Sequence, residues 1–470
     1  MRLKYLGATA AVVFAVAGCN SFLDVKPISE LPRDKALSGP TSARAAVAGI
    51  YDGLQDASYY GGDFVLFTDI SSDDVDWTGT FTTFADAEDN NLRSDNGSVR
   101  GIWNAMYTTV ARSNLVIAQL PGISGITTAE KNQLVGEAYF VRALVFHDLV
   151  KTWGGRTPSD AGVPLPLTPA ADASVGAKAT RATVAQTYTQ ILADLSAAET
   201  KLNPAVDDPT RGTLGAARAL RARVLLFNKD YPGAEAAATA VEGMGYELAA
   251  NYSELFTANG QTTTEDIFRL VFNPADASSE GYYYLGRTEN EPSSALVKAY
   301  QPSFNTTTLD NYAPDDLRAQ DNIVVDPTGN YCGLDLCGTK YPSTAGGEDI
   351  HIIRFAEVIL TKAEAMARQG GGKLPGAVAE VNRIRVRAGL PALVFGSVGL
   401  TTQQQVIDEV LLQRRLELAM EGFRWADLVR TGAVDGYLTA KGAPIFQALY
   451  PIPAREISVA PALTQNPGYR

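Results

Sequence analysis

Histidine occurs twice in the 470 residues, at 147 and 351, and cysteine three times, at 19, 332 and 337. These residue types ligate transition metals and act as nucleophiles or bases near neutral pH, so their scarcity excludes much. Two histidines cannot build a three-histidine metal site, and no HExxH helix occurs. The GxSxG nucleophile elbow, GxGxxG and the GxxxxGK[ST] phosphate loop are absent as well, and Gly370-Gly-Gly-Lys373 reads as a helix stop. His147 stands beside Phe146 and Leu149 on an apolar helical segment and reads as a structural histidine. What remains is carried by acids and aromatic residues. Asp69, Asp73, Asp74, Asp76, Trp77, Phe81 and Phe84 gather in one irregular stretch, and Tyr282, Tyr283, Tyr284, Tyr300, Tyr312 and Tyr331 in another. The acids at 73, 74 and 76 could hold calcium through oxygen ligands; the alternative is a solvated loop.

The N-terminus sets an address. Arg2 and Lys4 precede an apolar run from Tyr5 to Val16, too short to span a bilayer and suited to a signal-peptide core. The run ends in Val16-Ala17-Gly18-Cys19, which resembles a bacterial lipobox, with cleavage before Cys19 and a diacylglycerol on its sulfur. Residues 1–18 are then a lipoprotein signal peptide. Their loss removes two basic residues and takes the formal charge from −12 to −14. Buried acyl chains, at about 0.8 kcal/mol per CH₂, would hold the chain at a membrane. The acidic balance argues against nucleic acid as a partner, because phosphate binding needs clustered Lys and Arg. Export exposes Cys332 and Cys337 to oxidising conditions, which favours a short disulfide-closed loop in Tyr-Cys-Gly-Leu-Asp-Leu-Cys. Zinc would need two further ligands, and only His351 is near in sequence.

Helical periodicity positions these groups. A Pro-bearing tether covers residues 19–40. Apolar residues at helical spacing mark 41–57, 98–153, 183–244 and 350–450 as scaffold, and residues 58–97 and 245–349 as irregular insertions. Loops of this length inside compact domains are usually functional. Ala219, Ala222, Leu225, Leu226 and Phe227 lead through Lys229-Asp230-Tyr231-Pro232-Gly233 to Ala234 and Ala238. Small residues that admit a second helix, with large ones filling the groove, resemble a tetratricopeptide repeat. Residues 141–153 with 183–202, and 352–369 with 377–388, read as further pairs. The expectation is one mainly α domain over 41–470, not tandem domains.

Residues 411–430 read as one helix with Leu411, Leu412, Leu416, Ala419 and Phe423 turned inward. The pairs Arg414–Glu417, Glu421–Arg424, Arg424–Asp427 and Asp427–Arg430 stand three apart and would meet along its surface, each worth about 0.2–0.5 kcal/mol. Arg414-Arg-Leu-Glu-Leu-Ala-x-Glu-Gly-x-Arg-Trp-x-Asp-Leu-x-Arg430 also resembles a C-terminal hallmark of the SusD/RagB family. Four further stretches share the resemblance: Cys19-Asn-Ser-Phe-Leu-Asp-Val-Lys-Pro27; Gly136-Glu-Ala-Tyr-Phe-Val-Arg-Ala-Leu144 with Trp153-Gly-Gly and Val163-Pro-Leu; Tyr450-Pro-Ile-Pro-Ala-Arg-Glu-Ile457; and Gln465-Asn-Pro-Gly-Tyr469. They run in order from residue 19 to 469.

The resemblance implies a tetratricopeptide-like α/α superhelical scaffold of about four helix pairs cradling loop-rich ligand-binding insertions. It implies an outer-membrane, cell-surface lipoprotein without enzymatic activity or cofactor. Such a protein binds a glycan and serves a SusC/RagA-type TonB-dependent transporter. Sugars offer flat C–H faces to aromatic rings and hydroxyls to Asp, Asn and Arg. The expected ligand region is therefore Trp77, Phe81 and Phe84 with Asp73, Asp74 and Asn96, joined by Tyr282, Tyr283, Tyr284 and Arg287. For each aromatic the alternative is packing of loop on loop. A surface glycoside hydrolase using two carboxylates, a peptide-binding member of the same family and a protein-binding scaffold are the competing functions.

Overall fold

The computed structural model describes residues 37–170, 173–257, 262–309 and 311–469. Cys19, the signal peptide and most of the tether lie outside them. Along the chain run α1 (Pro40–Leu54), α2 (Asp63–Ile70), β1 (Val75–Trp77), α3 (Thr82–Glu88), α4 (Gly97–Gln119), α5 (Thr128–Trp153), α6 (Ala173–Gly176), α7 (Val184–Lys201), α8 (Leu214–Phe227) and α9 (Tyr231–Glu242). There follow β2 (Asp266–Leu270), β3 (Asn290–Pro292), α10 (Ser294–Tyr300), α11 (Leu317–Asn322), β4 (Ile323–Val325), β5 (Leu336–Gly338) and β6 (Ile350–Arg354). The chain closes with α12 (Phe355–Gln369), α13 (Leu374–Arg387), α14 (Gln403–Glu417), α15 (Arg424–Thr431), α16 (Val434–Lys441) and α17 (Ala454–Val459).

Four helix pairs form the scaffold: α1 with α4, α5 with α7, α8 with α9, and α12 with α13. Consecutive pairs pack on one another, and α14 lies across α12 and α13. The starts are written in the sequence. Thr127, Thr183, Thr213 and Thr402 accept backbone N–H groups at the N-termini of α5, α7, α8 and α14, and Thr183–Gln186 and Thr402–Gln405 close reciprocal capping boxes. Ala219 and Ala222 on α8 and Ala234 and Ala238 on α9 are all buried, as the small-residue pattern requires. The main core runs from α1 through α5, α7 and α8 to β2, β6 and α12. The scaffold is mainly helical, as expected.

Three antiparallel two-stranded sheets, β1–β3, β2–β6 and β4–β5, tie the loop-rich parts together. Residues 58–97, expected to be irregular, contain α2, β1 and α3. Their helices are too short to show a period in sequence, and α2 is buried nearly all round. Residues 245–349 likewise hold short strands and helices. The expected helix from residue 350 begins at 355, because 350–354 pair with β2 as a strand. The helix expected over 411–430 is broken. α14 stops at Glu417 and α15 starts at Arg424, with Met420 and Gly422 between them at φ 61° and 74°. A Cβ on Gly422 would stand 3.1 Å from Thr68 Oγ1 and 3.3 Å from Val65 Cα, so the positive φ and the close approach of α2 both favour glycine here.

Cys332 and Cys337 form a disulfide, Cα to Cα 6.1 Å, ahead of and within β5. His351, the possible fellow ligand in a zinc site, is engaged elsewhere: Nε2 lies 2.8 Å from the Leu255 carbonyl and Nδ1 2.7 Å from Asp266 Oδ1. His147 is fully buried against Phe227 and Tyr188, and burial drives its pKa down, so its ring is neutral. Among the described residues no three His, Cys, Asp or Glu side chains are grouped to hold a metal. No described helix is long and apolar enough to cross a membrane.

Candidate functional site

The pairing of β1 with β3 joins the two aromatic stretches. Val75 faces Pro292, Asp76 faces Glu291 and Trp77 faces Asn290, and the Thr78 N–H continues the ladder to the Glu289 carbonyl at 2.9 Å. Residues more than two hundred apart in sequence thereby share one surface. Phe81 lies parallel to Trp77, centroids 6.3 Å apart at 14°, and Phe84 meets the Trp77 ring edge-on at 4.9 Å. Tyr283 lies 6.1 Å from Trp77 and 5.8 Å from Phe84, and Tyr282 5.6 Å from Tyr283. The Arg287 guanidinium sits 5.0 Å above the Phe81 ring and donates to Glu289 at 2.5 Å. Gly79 permits this fold-over, since a Cβ there would fall 2.3 Å from the Trp77 indole.

Burial divides the expected ligand residues. Phe81 is 42% exposed and Tyr282 45% exposed, Tyr283 and Arg287 are open in part, and together they form the accessible face. Trp77 is 8% exposed and Phe84 3%, so they pack beneath that face as its floor. Tyr284 turns the other way and stacks on Tyr341 inside the protein. Asn96 is the N-cap of α4: its Oδ1 accepts from the Ser98 and Val99 N–H groups, and its Nδ2 donates to Thr83 and Asp86. Asp73 and Asp74 are spent on arginines. Arg424 holds the Asp73 carboxylate at 2.6 and 2.9 Å, and Arg415 Nε donates to Asp74 Oδ1 at 2.6 Å. Burial raises the Asp73 pKa, but the Arg424 hydrogen bonds and the Arg415 charge outweigh it, and Asp73 lies below its ordinary value. Asp74, more deeply buried and beside Asp73, lies above its own. For Phe84, Tyr284, Asn96, Asp73 and Asp74 the structure favours packing over ligand contact.

The residues that sequence reasoning missed are the supports. Glu88 accepts the Trp77 N–H at 3.0 Å, and Lys441 on α16 reaches both the Glu88 carboxylate and its carbonyl. Tyr437, also on α16, donates to the Ser72 carbonyl at 2.7 Å. Arg415 and Arg424 were visible as hallmark residues, but Arg415 was given no partner, and spacing along one helix suggested Glu421 and Asp427 as the partners of Arg424. Of the four surface pairs expected, Asp427–Arg430 forms at 2.6 Å. Arg414 turns instead to Asp427 at 2.8 Å, Arg424 turns to Asp73, and Glu417 is enclosed by Arg318, Arg354 and Arg387. The turn at 418–423 separates only Glu421 from Arg424; within α14 and α15 the three-residue spacing persists, but Arg414, Glu417 and Arg424 find partners on other elements instead. The hallmark is a buried ion network, not a surface stripe.

Two family profiles match in succession: "Starch-binding associating with outer membrane" over residues 21–226 and "SusD family" over 243–445. A SusD-like protein of Formosa agariphila is 27% identical over the full length of both chains. The starch-binding protein SusD of Bacteroides thetaiotaomicron is 32% identical over 148 residues, 29% of this chain and 24% of that one. Among solved structures, a laminarin-binding SusD-like protein superposes with a TM-score of 0.78 at 23% identity, covering 92% of this chain and 100% of the other. Helix pairs, ordered motifs and matched profiles agree, and the chain belongs to the SusD/RagB family.

Proposed function

We propose that this chain is a lipid-anchored protein of the outer-membrane surface that captures a glycan and passes it to a SusC/RagA-type TonB-dependent transporter. The observation supporting it is the face of Phe81, Tyr282, Tyr283 and Arg287. Two exposed rings and a guanidinium rise from a packed aromatic floor where two distant loops meet. Rings stack on the C–H faces of a pyranose, and Arg287 donates to its hydroxyls. Family membership and the laminarin-binding neighbour support a sugar as ligand. The reading is capture without bond cleavage: of the acids around the face, Asp73 and Asp74 are held by Arg424 and Arg415, and Glu289 by Arg287.

Native affinity electrophoresis against laminarin, starch and a wider glycan panel tests the reading. Retardation by at least one glycan is expected, with its loss in a Phe81→Ala/Tyr282→Ala variant. Unretarded migration with every glycan, together with binding of peptides, would overturn the sugar reading. Lipid anchoring through Cys19 predicts that Cys19→Ser moves the protein from the membrane fraction to the soluble one. Pull-down from solubilised outer membranes should recover a barrel transporter.

A further inference from the structure

We propose that Arg415 and Arg424, which do not reach the ligand face, are its positioning residues: together they clamp the junction from which both halves of the face project. This rests on the reading that the Phe81–Tyr282 face binds ligand.

The geometry is specific. Arg424 grips the Asp73 carboxylate through Nε and Nη2 at 2.6 and 2.9 Å, a two-pronged contact. Arg415 grips Asp74 Oδ1 at 2.6 Å, and its Nη2 also donates to the Asp73 carbonyl at 3.0 Å and lies 3.2 Å from Asp73 Oδ2. The backbone of these two acids carries the other half of the face. The Ser293 N–H donates to the Asp74 carbonyl at 2.9 Å and the Ser293 hydroxyl to the Asp73 carbonyl at 2.6 Å. Residue 75 then starts β1, which leads to Trp77 and Phe81. Residue 292 ends β3, which follows Tyr282, Tyr283 and Arg287. One knot of two arginines, two aspartates and a serine therefore sets the register in which the two aromatic segments meet.

The arginine side chains are 13% and 19% exposed and lie behind the loop. They act on the ligand through β1 and β3. Lysine cannot replace them, because an ammonium is a point charge without the planar fork that meets both carboxylate oxygens. A face assembled from two strands loses affinity when its halves slip, since ordering them is then charged to binding.

The test uses the mature chain labelled with 5-fluorotryptophan and read by fluorine NMR. The four tryptophans are 77, 103, 153 and 425, and Trp77→Phe assigns the first. Arg415→Lys, Arg424→Lys and the double variant keep charge and bulk, and thermal melting confirms that they fold. The expected result is a shifted or broadened Trp77 signal with Trp103 and Trp153 unmoved. Affinity for whichever panel glycan retards the wild type should fall about tenfold in the double variant. Asp73→Asn, which weakens the knot from the other side, should reproduce the shift. An unchanged Trp77 signal in the double variant, or a moved signal with unchanged glycan affinity, overturns the proposal. If the wild type binds no glycan, the proposed function falls, and the Trp77 signal alone then decides whether the clamp exists.

Discussion

Behind the face, Glu417 and Glu421 are buried among Arg318, Arg354, Arg387 and Lys340. Burial alone would raise their pKa values, yet the cations hold both carboxyls below the ordinary glutamate range. Arg354 donates to Glu421 at 2.8 and 2.9 Å, to Glu417 at 2.6 Å and to Glu265 at 2.7 Å. Glu280, Asp69 and Glu348 are equally inaccessible but have no guanidinium against them. Both oxygens of Glu280, Oδ2 of Asp69 and Oε2 of Glu348 lack a protein hydrogen-bond partner. Burial first, and for Glu280 and Asp69 the neighbouring acids next, push these three carboxyls up. Equal burial thus gives opposite pKa shifts, and the partner decides the sign. The first group is a set of fixed charges that welds α11, β6, α13 and α14 together. The second is a set of acids whose burial favours the protonated form.

The strongest way to break the first group is Glu417→Ala, which removes the carboxylate shared by three buried arginines. A loss of about 3–5 kcal/mol in urea unfolding is expected, enough to prevent folding in a marginal protein. Lys340→Met tests the seam between the groups. Lys340 Nζ donates to Glu421 and to the Ala419 carbonyl, both at 2.6 Å, and its charge also reaches Asp69. Burial pushes Lys340 down to about 8. Its removal should cost about 2–3 kcal/mol by the same measurement. Glu280→Gln should do the reverse. The raised folded pKa means that the stability supplied by protonated Glu280 is complete below 4.5 and is lost as pH rises towards the folded value. The amide should therefore stabilise by about 1–2 kcal/mol at pH 8, with the gain shrinking towards pH 4.

Acid gives the complementary readout. Glu417, Glu421 and Glu364 have depressed folded values, so their stabilisation is present above about 4.5 and is lost as pH falls through those values. Melting temperature should drop below pH 4.5 in the wild type. Arg93→Ala is the smallest expected effect: its pair with Asp95 is exposed on both sides, and no change in melting temperature is expected.

Much of the scaffold was legible because caps and apolar periodicity are local. Thr183, Thr213 and the alanines of α8 and α9 announce their helices within a few residues. The aromatic region was legible as composition, since Trp77, Phe81 and Tyr282 stand out in any loop. Which rings face out was not legible, because the β1–β3 register that sets their order joins residues 75 and 292. The buried network was misread for the same reason. Arg424 has Glu421 and Asp427 at helical spacing, and nothing local reveals that the chain turns at Gly422 and delivers Arg424 to Asp73. Short α2 and α3 escaped notice because eight and seven residues span barely two turns.

The link between Asp73 and Arg424 spans 351 residues, and this has a consequence for the order of folding. A chain that emerges N-terminus first can assemble α1 to α9 from neighbours close in sequence. The strand bearing Trp77 must wait for nine-tenths of the polypeptide before its anchor exists, because contacts of such separation form late. The aromatic face is thus completed last, and a chain interrupted before residue 415 would keep much of its helical body while lacking the anchor of that face.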